Sequence, residues 1–175
     1  MPTTPEDLSG PGVPWAQLAA SEETTARYRA KIYHRGDDRC AYWLGAISDS
    51  GHGKLRAGRR SDGTSRVVTA HVLGYVIEYG LQTLRADDVV RHTCDEASCQ
   101  NSRHWTAGTR QDNIADYHAR RDRAGHALAD VRGPAGRAMA IREAILAAAP
   151  GDVEDAIAAA IAAGNPTGAR QDTLW

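Results

Sequence analysis

The sequence predicts an α+β protein in which a small, metal-stapled domain of short strands and helices is followed by a pair of alanine-rich helices. Three observations predict this. Between residues 40 and 69 aromatic and branched residues fall in short runs broken by Gly, Ser and Asp, and the period then changes to helical at Val72, Leu73, Val76 and Ile77. Residues 92–104 hold two of the three cysteines, at Cys94 and Cys99, and two histidines, at His92 and His104, and no apolar alternation explains them as core. Thiolate and imidazole at that spacing suit a tetrahedral zinc ion. Residues 134–149 and 152–163 are alanine-rich and are separated by Pro150-Gly151, the pattern of a helical hairpin.

In chain order, residues 1–20 begin with prolines and small polar residues and read as a flexible leader. A unit over 21–126 follows, then the helical hairpin over 127–163 and a tail over 164–175. Ser21 is a good N-cap for a helix with Glu22 and Glu23 in its first turn, where the helix dipole favours acids. That helix is expected to run to His34 and stop at Gly36. Residues 40–47 read as a strand, 48–51 as a turn, 53–57 as the return strand, 58–63 as a second turn or loop and 66–69 as another strand. A helix over 70–79 ends at Gly80. His71 at its start is open between a buried or capping residue, a metal neighbour and a DNA contact.

Val89-Val90-Arg91-His92 reads as a short strand running into the cysteine loop, and 104–107 as a second strand broken at Gly108. Thr109 with Asp112 three residues later forms a capping-box pattern for a helix over 110–123. Asn113, Asp116, Tyr117 and Arg120 share a face of that helix. Asp152 is placed to cap the last helix, whose stripe is Val153, Ile157 and Ile161.

Net charge is −1, but it is unevenly spread. Residues 52–66 carry Lys54, Arg56, Arg59, Arg60 and Arg66 against Asp62 alone, whereas 151–175 carry Asp152, Glu154, Asp155 and Asp172 against Arg170. Basic clusters are what phosphate backbones need. A twisted hairpin bearing Lys54, Arg56, Arg59 and Arg60 suits a DNA groove, although an ordinary solvated hairpin shows the same pattern. No apolar run approaches the length of a membrane span. With no secretory signal pattern and an odd cysteine count set beside histidine, we expect reduced thiols and a cytoplasmic location.

The run His92-Thr-Cys94-Asp95-Glu-Ala-Ser-Cys99-Gln-Asn101-Ser102-Arg-His104-Trp105-Thr-Ala-Gly108-Thr109-Arg-Gln-Asp112-Asn113-Ile-Ala-Asp116 resembles the HNH endonucleases of the ββα-metal superfamily, in particular phage-type and homing-type members with a cysteine loop. The upstream Gly36-Asp-Asp-Arg-Cys40-Ala-Tyr-Trp43-Leu-Gly45-Ala, Gly51-His52-Gly53 and Ala70-His71 look like that family's lead-in, so the likeness covers residues 27–125. The resemblance implies a ββα-metal core that hydrolyses phosphodiester bonds in double-stranded DNA. It makes His92 the general base, Asn113 the ligand of a catalytic divalent cation such as Mg²⁺, and Asn101 the residue that holds the loop by backbone hydrogen bonds. Arg91 and Arg120 join the basic hairpin as expected DNA contacts. The sequence departs from the pattern at Arg91, where many members carry a second metal ligand, and at Ser102 and Trp105, which replace proline and leucine.

Two zinc sets fit. Cys40, Cys94, Cys99 and His104 use every cysteine and leave His92 free. His92, Cys94, Cys99 and His104 complete a site within 13 residues and turn the domain into a non-catalytic zinc-stabilised DNA-binding module, the alternative function. A third reading is an adaptor built on the C-terminal helices. The terminal Gln171-Asp-Thr-Leu174-Trp175 is similar to the Gln-x-x-Leu-aromatic peptide that docks on bacterial sliding clamps. A homodimer is compatible with all three.

Overall fold

The computed structural model describes residues 12–121, 123 and 125–165. The chain is α+β, in the order α1 (Trp15–Ala20), α2 (Glu22–Arg29), β1 (Ile32–Tyr33), β2 (Tyr42–Trp43), β3 (Ala46–Ile47), β4 (Gly53–Ala57), β5 (Arg66–Thr69), α3 (Ala70–Tyr79), β6 (Asp88–His92), β7 (Trp105–Thr109), α4 (Arg110–Arg120), α5 (Gly133–Ala147) and α6 (Val153–Ala163). The strands form three small antiparallel sheets: β1–β2, β3–β4–β5 and β6–β7. Among the described residues no helix is long and apolar enough to cross a membrane.

α3 organises the main core. Its residues Ala70 to Val76 are all buried, and they pack with Trp15, Leu18, Tyr28, Trp43, Leu55, Val68, Val90 and Trp105. Gly74 sits in mid-helix, where glycine normally weakens a helix by about 1 kcal/mol relative to alanine. The reason for it is contact: a Cβ there would collide with the Tyr28 hydroxyl and lie 2.6 Å from the Trp105 ring. Tyr28 in turn donates to the Gln100 side-chain oxygen at 3.0 Å, which ties α2 to the cysteine loop.

A second apolar cluster joins the C-terminal hairpin to the rest. Tyr42 of β2 is buried with Ile141 and Ile145 of α5 and with Val153 and Ile157 of α6. Ion pairs lock the same junction. Arg137 of α5 reaches the buried Glu96 at 2.7 Å and Asp130 at 3.4 Å, and Arg35 reaches Glu154 of α6 at 2.8 Å.

The structure corrects several expectations. The region expected to be a leader contains α1, whose Trp15 and Leu18 are 2% and 1% exposed, because two large apolar side chains a turn apart gain more by docking on α3 than by staying solvated. The helix expected to reach His34 ends at Arg29: Ile32 and Tyr33 pair instead with Trp43 and Tyr42, where branched and aromatic residues fill a pleated surface. The strand expected over 40–47 is two short strands. They are broken at Leu44-Gly45, where the Trp43 indole folds back to donate to the Ala46 carbonyl at 3.1 Å. β7 does not break at Gly108 but runs through it, pairing Gly108 with Val89. α4 stops at Arg120 rather than Arg123, and Asp152 makes no side-chain cap bond. The turns at 48–51 and 58–63, α3 with its Gly80 stop, and the Thr109–Asp112 capping box occur as expected.

Candidate functional site

The cysteine loop leaves β6, returns as β7 and passes directly into α4. Its residues stand on regular structure at both ends: β6 and β7 pair in full from Asp88↔Thr109 to His92↔Trp105. Asp95, at the loop's turn, has φ 54°, a left-handed conformation that aspartate tolerates better than most residues. Its carboxylate is held by Arg120 at 2.9 Å and by His126 at 3.2 Å.

Four ligating side chains converge on this loop. One ligand atom each from Cys40, Cys94, Cys99 and His104 lies within 4.8 Å of the others. His104 Nδ1 is 3.5 Å from Cys99 Sγ and 3.7 Å from Cys40 Sγ. Bond lengths of about 2.3 Å to sulfur and about 2.0 Å to nitrogen set a sulfur–nitrogen edge of about 3.5 Å in a tetrahedral zinc site, so the spacing fits. The thiols also behave as one unit. The sulfhydryls of Cys40 and Cys99 hold the Cys94 thiol down to about 2; that thiolate pushes Cys40 up to about 12, and Cys40 and Cys94 together raise Cys99, with burial adding to both. A divalent cation would remove this conflict by holding all three as thiolates. The cluster is therefore able to bind a metal such as zinc, and it includes Cys40 and not His92.

Asn101 braces the loop. Its side-chain amide donates to the carbonyls of Asp37 and Arg39, each at 2.8 Å, and its side-chain oxygen accepts from the Arg103 backbone at 3.0 Å. These bonds fix the segment leading into Cys40. Asn101 lines a different cavity from His92, on the side of Tyr28 and His34.

His92 lies outside the thiolate cluster and belongs to another. With His52 and His71 it forms a group in which one ring nitrogen from each lies within 4.8 Å of the others. His52 comes from the turn before β4, His71 from the first turn of α3 and His92 from the end of β6. The ring centroids are 4.5 Å apart for His71–His92, 4.9 Å for His52–His71 and 5.9 Å for His52–His92. A carbonyl can only accept, so the contacts of His92 Nε2 to the Cys99 carbonyl at 3.0 Å and of His71 Nε2 to the Val90 carbonyl at 3.2 Å fix both tautomers. In each ring Nδ1 is left as the bare acceptor. His52 Nδ1 is engaged by the Ser50 hydroxyl at 2.9 Å. Burial holds all three rings neutral: it lowers His71 well below its ordinary value, lowers His92, and brings His52 down to about 4.

The three rings line a cleft with Lys54, Arg91, Arg110 and Asn113, and this lining includes no carboxylate. Asn113 is exposed on α4 at the cleft wall, on the turn after the capping box. Lys54 reaches Thr69 Oγ1 at 2.9 Å across the β4–β5 pair. Arg91 lies over Gly108, where a Cβ would stand 2.7 Å from its Nη2, and pairs with Asp116 at 2.5 Å. Arg120 also binds Asp116, at 2.7 Å. Asp116 is thus committed to two arginines, and Arg91 and Arg120 to a network that fixes α4 against the cysteine loop.

Of the expected DNA contacts, Arg56 and Arg60 are exposed, and Arg59 is paired with Glu23 of α2. Gln171, Leu174 and Trp175 lie outside the described residues. Sequence reasoning missed His52 as a cluster member and Arg110 as a cleft cation. His52 stood inside the quoted Gly51-His52-Gly53 turn, and only the fold, by closing the β3–β4 turn over α3, shows what it faces.

No family model matches the chain, and no solved structure matches it. Among curated proteins it is similar to Protein 7.7 of Escherichia phage T7, at 32% identity over 77 residues, which cover 44% of this chain and 53% of that protein. The chain thus spans about half the length of that relative.

Proposed function

We propose that the chain is a metal-dependent DNA endonuclease of the HNH class, with β6, β7 and α4 as its ββα-metal core. The observation that carries this reading is the state of His92. Its Nε2 proton is committed to the Cys99 carbonyl, so its Nδ1 is a bare, neutral base beside a cleft walled by Lys54, Arg91, Arg110 and Asn113. A general base for phosphodiester hydrolysis has to be unprotonated and fixed in orientation, and cations beside it favour the phosphate. In this reading His92 takes a proton from the attacking water. Asn113 would hold a Mg²⁺-like cation through its side-chain oxygen, and that cation would stabilise charge on the scissile phosphate. The Cys40, Cys94, Cys99 and His104 set holds a zinc ion that keeps the loop folded, and Asn101 braces that loop. Lys54, Arg56, Arg60 and Arg110 meet the DNA backbone.

The second reading, a zinc-stabilised DNA-binding module, is favoured by Arg91. Where a nuclease of this class often has a further metal ligand, Arg91 stands in an ion pair with Asp116, which takes both residues away from a cation. Supercoiled plasmid incubated with the protein, with and without Mg²⁺, separates the two. Mg²⁺-dependent relaxed or linear product that is lost in His92→Ala supports the nuclease. Retardation of DNA in a gel without cleavage under any divalent cation supports the module. The same gel without retardation leaves the adaptor. Docking of the C-terminal peptide on a sliding clamp, self-association and a cytoplasmic location are further expectations of the nuclease reading.

A further inference from the structure

We infer that His52, His71 and His92 form a second metal site, built for an imidazole-binding transition ion such as Zn²⁺ or Co²⁺ rather than for Mg²⁺. Three features of the cluster point to an ion. One ring nitrogen from each residue lies within 4.8 Å of the other two, although the residues come from a turn, a helix and a strand. In each ring one nitrogen is engaged by the protein, His92 by the Cys99 carbonyl, His71 by the Val90 carbonyl and His52 by the Ser50 hydroxyl, which leaves the second nitrogen free to ligate. This is how metal-binding imidazoles are oriented: the outer nitrogen takes a backbone or hydroxyl partner, and the inner lone pair is left for the ion. Finally, His71 Nδ1 is fully buried and has no hydrogen-bond partner.

Packing alone does not account for this. Buried polar atoms are nearly always satisfied, and His71 Nδ1 is not. Nor do the three imidazoles suit Mg²⁺, which prefers oxygen ligands in octahedral array, because they offer an ion only nitrogen. Three imidazoles with a remaining open position match zinc and its neighbours in the transition series.

The inference stands on the cluster alone. Only its consequence rests on the nuclease reading. An ion at this site takes the lone pair of His92, which that reading assigns to the base. Loading the site therefore switches cleavage off, and the cleft works with Mg²⁺ only while the three imidazoles are clear of a transition ion.

The test is metal counting with spectroscopy. Full-length protein carrying its thiolate-bound zinc is titrated with Co²⁺. A second equivalent is expected, with visible d–d bands and without the near-ultraviolet thiolate charge-transfer band. His52→Ala removes a half-buried ligand at the mouth of the cleft, and His71→Gln removes a buried one while keeping a polar group. Each is expected to weaken the second equivalent by about 100-fold or more and to leave the thiolate equivalent in place. Failure of the wild-type protein to take up a second equivalent overturns the site, as does a second equivalent unchanged in both variants. A parallel cleavage assay at saturating Mg²⁺ is expected to lose at least about 90% of its rate when the second equivalent of Zn²⁺ is added, the arithmetic of occupancy near ten times the dissociation constant. Full cleavage with the site loaded overturns the switch. Absence of cleavage at every metal condition removes the nuclease reading and leaves the metal count to decide the site.

Discussion

The two clusters of ligating side chains differ in how the chain assembles them. Three members of the thiolate site, Cys94, Cys99 and His104, lie within one loop, and Cys40 is brought in by β2, whose Tyr42 bridges to Cys99. The imidazole site has no local part at all: His52, His71 and His92 belong to three elements and meet only when β4, α3 and β6 are packed. In our reading the first cluster stabilises the fold by holding a loop that has little apolar content. The second is built by the fold and sits in its cleft. Loss of the first should therefore cost structure, whereas loss of the second should cost chemistry.

The largest effect is expected from Cys94→Ser. A structural zinc site contributes several kcal/mol or more of folding free energy, so this variant should lose its metal and its cooperative thermal transition together. A metal-free variant that melts like the wild type would remove the distinction between the two clusters. Next comes Arg137→Ala. Burial pushes the Glu96 carboxyl up and Arg137 opposes it, so removing the guanidinium strands a buried acid beside the thiolate loop. Breaking such a pair costs about 3–5 kcal/mol, read from chemical denaturation. Arg137→Ala with Glu96→Gln should recover part of that loss.

A smaller effect separates two neighbouring arginines of the basic hairpin. Arg60 is exposed, whereas Arg59 is already bound to Glu23. Arg60→Ala should lower the slope of log affinity for DNA against log salt by about 0.9, and Arg59→Ala by less. Equal slopes in the wild type and Arg60→Ala would take that surface away from the DNA. The smallest effect is at the clasp of α6. The hydrogen bonds of Arg35, helped by Arg39, hold the Glu154 carboxyl below its ordinary value of 4.5. A carboxyl lowered in the folded state stabilises it above that value, and the contribution is lost as pH falls through the lowered one. Glu154→Gln should therefore reduce stability slightly at neutral pH and flatten its decline below about pH 4.5, as measured by thermal melting.

Legibility in the sequence followed the range of the interactions. The Thr109–Asp112 box, the Gly80 stop of α3 and the spacing of Cys94, Cys99 and His104 are decided by neighbours in the chain, and they were readable. Cys40 was readable only because a zinc set that used every cysteine was preferred. α1 escaped because six residues after a proline-rich start carry little local signal, and its order comes from docking Trp15 and Leu18 on α3. The fate of Arg91 was also hidden. Its departure from the nuclease pattern was visible, but its pairing with Asp116, and the need for Gly108 beneath it, depend on the register of β6 against β7. His52 is the clearest case. A histidine in a Gly-His-Gly turn has no local reason to be a ligand, and its neighbours in space lie 19 and 40 residues away in sequence.

The division of labour between the two clusters is tested most directly by one assay, plasmid cleavage by His92→Ala protein that has first been shown to carry its thiolate-bound metal. The account predicts that the metal stays and that cleavage falls by about 100-fold or more, the usual scale for removing a positioned general base. Undiminished cleavage, or loss of the thiolate-bound metal with the His92 side chain, would contradict it.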